Sequence, residues 1–183
     1  MVTYISILRG ANVSGRRNIK MKDLKALYEN IGLCNVITYI QSGNVIFRCA
    51  ETSPGHLSEM INQAITRQWE YHIPVFVYQL RDFKQIYSSN PFIAYLNRDI
   101  TKLHVTFLFN AGTPSAVKIL EEQSFPPDEM IIRNNEIYLY CPNGYGQTKL
   151  TNTFFERKLN SKATTRNWKT LTRLLELADT TYE

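Results

Sequence analysis

Two short stretches carry the residues best suited to chemistry. The first, residues 8–18, reads "LRGANVSGRRN" and follows the apolar run "YISIL". Gly10 and Gly15 stand in G-x-x-x-x-G spacing, with Arg16 where a P-loop carries lysine. In a P-loop the backbone amides cradle phosphates, the lysine reaches them, and a following Ser or Thr holds magnesium. Here Arg17 replaces that hydroxyl, and the helical pattern starts only at Met21, too late for its amides to reach the same phosphates. These departures argue against nucleoside triphosphate hydrolysis. They leave a simpler use: glycine lets the backbone approach a ligand closely, and arginine offers a planar fork to phosphate or carboxylate. Arg9, Gly10, Asn12 and Arg16 are the candidates. The structural alternative is that the glycines serve turns and Arg9 neutralises a nearby carboxylate.

The second stretch is "ATTRNW", residues 163–168. Thr164 or Thr165 is expected to cap a helix whose first turn holds Arg166 and Asn167, and such a helix start attracts anions. Lys149 is a candidate for the same region. Trp168 falls on a core stripe with Leu171 and Leu175, whereas Tyr145 in "GYG" would either stack on a base or pack across the domain junction. In "QSGN", Gln41, Ser42 and Asn44 offer donors beside the first loop, or only reverse the chain.

No nucleophile–base–acid pattern stands out, so catalytic residues are not assigned and enzymatic activity stays open. Three cysteines (Cys34, Cys49, Cys141) and three histidines (His56, His72, His104) are scattered without C-x-x-C or metal-ligand spacing. We therefore expect no metal, no cofactor and no disulfide framework. His104, within "LHVTFLF", is expected on the less buried face of a strand.

Charge is distributed unevenly. The chain of 183 residues has net charge +5, yet residues 9–22 and 144–173 together carry +11 and the remainder −6. Such asymmetry creates a local field for anions if the segments meet, or two separate solvated surfaces if they do not. The composition, 44% hydrophobic and 20% charged, describes a globular chain, not a disordered one. No apolar run approaches membrane-spanning length and the N-terminus lacks a signal-peptide pattern, so a cytoplasmic location is expected.

The elements that would position these residues follow from periodicity. Residues 2–8, 73–80 and 102–109 read as strands, and 21–32, 53–71 and 113–123 as helices with starts at Met21, Ser53-Pro54 and Thr113-Pro114. Hairpins are expected at Ser42-Gly43 and Asn134-Asn135, and a short helix near 81–89. The order predicts an α+β fold of two tandem ferredoxin-like halves (βαββαβ-type), residues 1–80 and 81–183, with two C-terminal helices over 147–160 and 165–178.

Three landmarks, "LRGANV", "YIQSGNVIF" and "TKL" followed by "ATTRNWKTLTRLLELA", resemble the bacterial domain of unknown function 1697 family. The resemblance implies two ferredoxin-like halves and a soluble bacterial protein, and brings no activity or catalytic set. That family often has Gly where Ser14 stands and Lys-Asn where Arg16-Arg17 stand, so the loop's charge carries over and a lysine's role does not. The functional expectation is binding of a phosphorylated or other anionic ligand, nucleic acid included, at a basic surface formed by residues 9–20 and 149–169. An enzyme acting on an anionic small molecule and a protein-interaction module are the alternatives, and oligomeric state is not read.

Overall fold

The computed structural model describes residues 1–12, 18–95 and 98–180. The chain divides into two compact units, Met1–Gln85 with Arg173–Glu183, and Ile86–Thr172.

In the first unit, β1 (Val2–Leu8), α1 (Met21–Asn30), β2 (Cys34–Tyr39), β3 (Asn44–Cys49), α2 (Pro54–Trp69) and β4 (Val75–Gln79) follow one another. The antiparallel sheet has the order β2-β3-β1-β4, with β1 and β3 central. Its core joins Tyr4 and Leu8 of β1 and Phe47 of β3 to Leu24, Leu27 and Tyr28 of α1 and Leu57, Ile61 and Ile65 of α2. Burying each such side chain contributes about 1.5–3 kcal/mol, which is how the amphipathic stripes select their face. Helix α1 begins at Met21, and α2 is capped by Ser53, whose side chain accepts from the His56 amide at 3.1 Å.

The second unit repeats this plan. It contains β5 (Leu103–Leu108), α4 (Pro114–Glu121), β6 (Glu129–Arg133), β7 (Glu136–Tyr140), α5 (Asn152–Leu159) and β8 (Ala163–Asn167), in sheet order β6-β7-β5-β8. The registers repeat as well as the order. Ile7 faces Asn44 as Phe107 faces Glu136, and Leu8 faces Val75 as Leu108 faces Ala163. Even the bonds that leave the strands match. Leu8 and Arg9 amides donate to Gly43 and Pro74, while Leu108 and Phe109 donate to Asn135 and Lys162. The remaining helices are α3 (Leu80–Ser88) and α6 (Trp168–Thr180).

The main departure from the sequence reading is β8. "ATTRN" is a strand paired with β5, not the start of a helix, so the two C-terminal helices flank a strand. β-Branched threonines suit that half-buried pleat. Thr164 and Thr165 are therefore not caps; the Asn167 side chain caps α6 by accepting from the Thr170 amide at 2.8 Å. His104 is also more enclosed than expected, because every residue of β5 is buried, on both faces. Trp168 does belong to the interior, stacked on Tyr87 with centroids 4.2 Å apart. The cysteines are free thiols: Cys34 exposed, Cys49 half-buried and Cys141 buried.

The β2–β3 connection shows how closely the first unit is fitted. It runs from Ile40 to Gly43, with left-handed backbone at Ile40 (φ 51°) and Gly43 (φ 76°). A Cβ on Gly43 would lie 2.9 Å from the Leu8 Cβ. Gly43→Ala is therefore expected to destabilise the protein by about 2 kcal/mol, through left-handed backbone strain and crowding against β1. A fall in urea midpoint at unchanged slope would confirm it.

Candidate functional site

The candidate site of the first unit grows from the end of β1. The chain leaves that strand through Gly10 (φ 72°) and turns at Asn12 (φ 56°). Asparagine tolerates this left-handed conformation better than most side chains because it can bond locally. The Asn12 side chain then makes three hydrogen bonds. Its Nδ2 donates to the carbonyls of Ile19 and Gln41, each at 2.8 Å, and its Oδ1 accepts the Ile19 amide at 2.7 Å.

Asn12 thus pairs with Ile19 as a backbone amide would in a strand ladder, closing the neck of the segment between them. Ile19 is itself fully buried in the core of the unit. The bond to Gln41 ties the same neck to the β2–β3 turn. Within that turn, buried Asn44 donates to the Tyr39 carbonyl and to Ser42 Oγ, both at 3.0 Å. Arg9 is half-buried, with its amide bonded to Pro74 O at 2.9 Å.

The fold therefore gathers Arg9, Gly10, Asn12, Gln41, Ser42 and Asn44 at one end of the central strands β1 and β3. Arg16, with Gly15, lies outside the described residues. The polar side chains of Asn12 and Asn44 are occupied by structural bonds, so their part at a ligand would be to shape the loop. Lys20 supplies the residue before α1 without a side-chain cap bond, and Lys20 itself is exposed. Arg9 and Lys20 are the basic groups of this neck.

The candidates of the second unit separate. Lys149 is exposed, but Arg166 points into the interior of β8, 8% exposed, with Nη1 donating to Thr164 Oγ1 at 2.9 Å and to the Thr165 carbonyl at 3.0 Å. Burial lowers its pKa to about 10, partly offset by the nearby Tyr145 phenol, so it stays cationic at neutral pH. Asn167 is taken up as the α6 cap. Arg166 is thus an internal support and Asn167 an exposed helix cap, rather than the pair forming the open helix-start anion site expected from "ATTRNW".

Tyr145 also turns inward. Its ring stacks on His104 with centroids 4.9 Å apart, and its hydroxyl donates to Thr165 Oγ1 at 3.0 Å. Thr165 donates to Asn152 Oδ1 at 2.7 Å and meets Thr106 Oγ1 at 2.7 Å. Burial pushes the Tyr145 phenol up and the His104 imidazole down, so both are held neutral near pH 7. This network fastens the 144–147 segment to the sheet, so Tyr145 packs within the second unit, on His104 and Thr165, which neither alternative named. Sequence reasoning missed it because β8 was read as helix; the alternation Thr164, Arg166 against Thr165, Asn167 is the period-two signal that marks the strand.

Among the described residues, no three His, Cys, Asp or Glu side chains converge as a metal site requires, and no helix is long and apolar enough to cross a membrane.

These observations define a protein of two repeated antiparallel α/β units, the first with Asn12 bonded to Ile19 and Gln41 beside Arg9 and Lys20. The chain belongs to the DUF1697 family of proteins of unknown function, whose model matches residues 1–138. Among solved structures, the conserved bacterial protein SP0830 from Streptococcus pneumoniae has a similar fold, with a TM-score of 0.78 and 22% identity over 98% of this chain and 99% of that one. No curated protein matches the chain.

Proposed function

We propose that the protein binds a phosphorylated or otherwise anionic ligand, with nucleic acid among the candidates, at the basic segment 9–20. The observation that carries this reading is the Asn12 clamp. Three side-chain bonds close the neck of a segment that contains Arg16 and Arg17, with Arg9 and Lys20 flanking it and no acidic residue from 9 to 20. A connection that merely reached α1 would not need its neck tied to both Ile19 and the β2–β3 turn. The stretch 149–169 supplies a second basic segment, in which exposed Lys149, Arg157, Lys158, Lys162 and Lys169 replace Arg166 as the groups open to an anion.

The same reading takes each half as a ferredoxin-like unit of a bacterial, cytoplasmic protein. The repeated strand order and registers support the fold, and the neighbour from Streptococcus pneumoniae supports the source.

Filter binding of short single-stranded RNA and DNA at two ionic strengths tests the nucleic-acid form, and calorimetry with inorganic pyrophosphate tests the small-ligand form. Nucleic-acid affinity is expected to fall steeply with salt, because each neutralised phosphate releases counterions. Arg9→Ala and Lys20→Ala should each lower affinity several-fold. Absence of binding to all three probes at low salt would overturn the anion-binding reading.

A further inference from the structure

The second unit holds a site of the opposite polarity, away from the basic segments in sequence. The guanidinium of Arg98 lies 4.3 Å from the ring centroid of Tyr140, 5.5 Å from that of Tyr95 and 5.8 Å from that of Phe92. It also makes a forked pair with Glu129, Nη2 donating to Oε2 at 2.8 Å and Nη1 to Oε1. Ring faces carry negative potential and a carboxylate matches the guanidinium fork, so these four side chains form a cage for a flat cation.

The cage borders a cavity of about 240 Å³ that shares Phe92, Tyr95 and Glu129 and adds Glu121, Phe125 and Asp128. Among the described residues, its lining contains three carboxylates and neither lysine nor arginine, in a chain whose net charge is +5. One wall is open to solvent, since Tyr95 is 54% exposed.

We propose that this cavity and cage form a binding site for an organic cation, a guanidinium or ammonium group carried by another molecule. Arg98 is its built-in stand-in. It shows that the cage accepts a guanidinium, and it competes with any external one. The Arg98–Glu129 pair is partly exposed, with side chains 23% and 45% accessible, so solvent screens it and exchange is feasible. An external cation would gain the Tyr95 and Phe92 faces and the Glu129 carboxylate, with Glu121 in the lining of the same cavity. Occupancy by Arg98 lowers the apparent affinity by the fraction of molecules whose cage is empty.

The test is calorimetric and NMR titration of the whole protein with arginine amide acetylated on its α-amine, using the likewise acetylated citrulline amide as the neutral isostere. Arg98→Ala is expected to bind arginine amide at least about tenfold tighter than the wild type, and citrulline amide should not bind. Adding Tyr95→Ala should reverse most of that gain. Equal binding of the two amides, or no tightening in Arg98→Ala, would overturn the proposal. Should Arg98→Ala fail to fold, the wild type decides: arginine amide must shift the Tyr95 and Tyr140 ring resonances saturably, and Tyr95→Ala must weaken that binding. Lack of a saturable shift overturns the proposal equally.

Discussion

Replacing Asn12 with alanine is expected to cost the protein about 3 kcal/mol and to abolish most of the anion affinity proposed for the first unit. The stability term has two parts. Alanine removes all three side-chain bonds and leaves the amide and carbonyl of Ile19 without their partner. An orphaned buried amide costs roughly 1–3 kcal/mol. Alanine at a left-handed position (φ 56°) adds about 1–2 kcal/mol of backbone strain. Two companion variants separate these parts. Asn12→Gly relieves the strain but still loses the bonds, so it should recover about 1 kcal/mol. Asn12→Asp keeps the acceptor for the Ile19 amide but turns a carboxylate toward two carbonyls, and should be as damaging as alanine. Urea unfolding followed by Trp69, which packs against the core of the first unit, is the measurement. A loss below about 1 kcal/mol in Asn12→Ala would show that the clamp is incidental. The loop could then no longer be argued as a shaped site.

This clamp also shows where sequence reading stops. The strand before it, the helix after it and the turn beside it are all legible from local chemistry. "VTYISIL" is β-branched and apolar, Met21 opens a helical stripe, and Ser42-Gly43 is turn-forming. The βαββαβ order already implies that β1 and β3 are neighbours, so "QSGN" is expected beside the first loop. No local pattern, however, states that Asn12 is the side chain that bonds to Ile19 and Gln41. The reading of "ATTRNW" failed for a related reason. Two threonines followed by an amphipathic stripe satisfy the N-cap pattern, yet the cap is Asn167, because β5 offers an unpaired edge that draws residues 163–167 into the sheet. Tertiary pairing overrode a local helix-start signal. With the strand in place, Arg166 moves from an expected ligand contact to an internal support. Arg98 and its three rings were invisible for the same reason: Phe92, Tyr95 and Tyr140 converge only once β7 passes beside the segment that begins at Pro91.

The second large effect concerns Glu136, which had no place in the sequence reading. It opens β7 opposite Phe107 and is buried. It is the register equivalent of Asn44, so a neutral amide in one unit corresponds to a carboxyl group in the other. Among the described residues, the interaction that favours its charged form is a backbone hydrogen bond at Asn135, and burial outweighs it. The pKa is raised from 4.5 to about 7. Because the folded pKa lies above the unfolded one, the native state retains a proton that the unfolded chain has released between pH 4.5 and about 7. Stability from this group is therefore full below pH 4.5 and is lost as pH rises to about 7. At 1.36 kcal/mol per pH unit the total is about 3 kcal/mol. His104 works in the other direction, since its pKa is lowered by burial and its protonation removes stability as pH falls below 6.5. Glu136→Gln isolates the carboxyl. It should raise stability at pH 8 by about 2–3 kcal/mol, seen by Trp168 fluorescence as a melting temperature higher by several degrees, and leave stability at pH 4.5 nearly unchanged. The histidine contribution is common to both proteins and cancels in the difference. A Glu136→Gln protein no more stable than the wild type at pH 8 would mean that the folded protein holds this carboxylate charged at little cost. The repeat would then tolerate acid and amide equally at the head of its third strand.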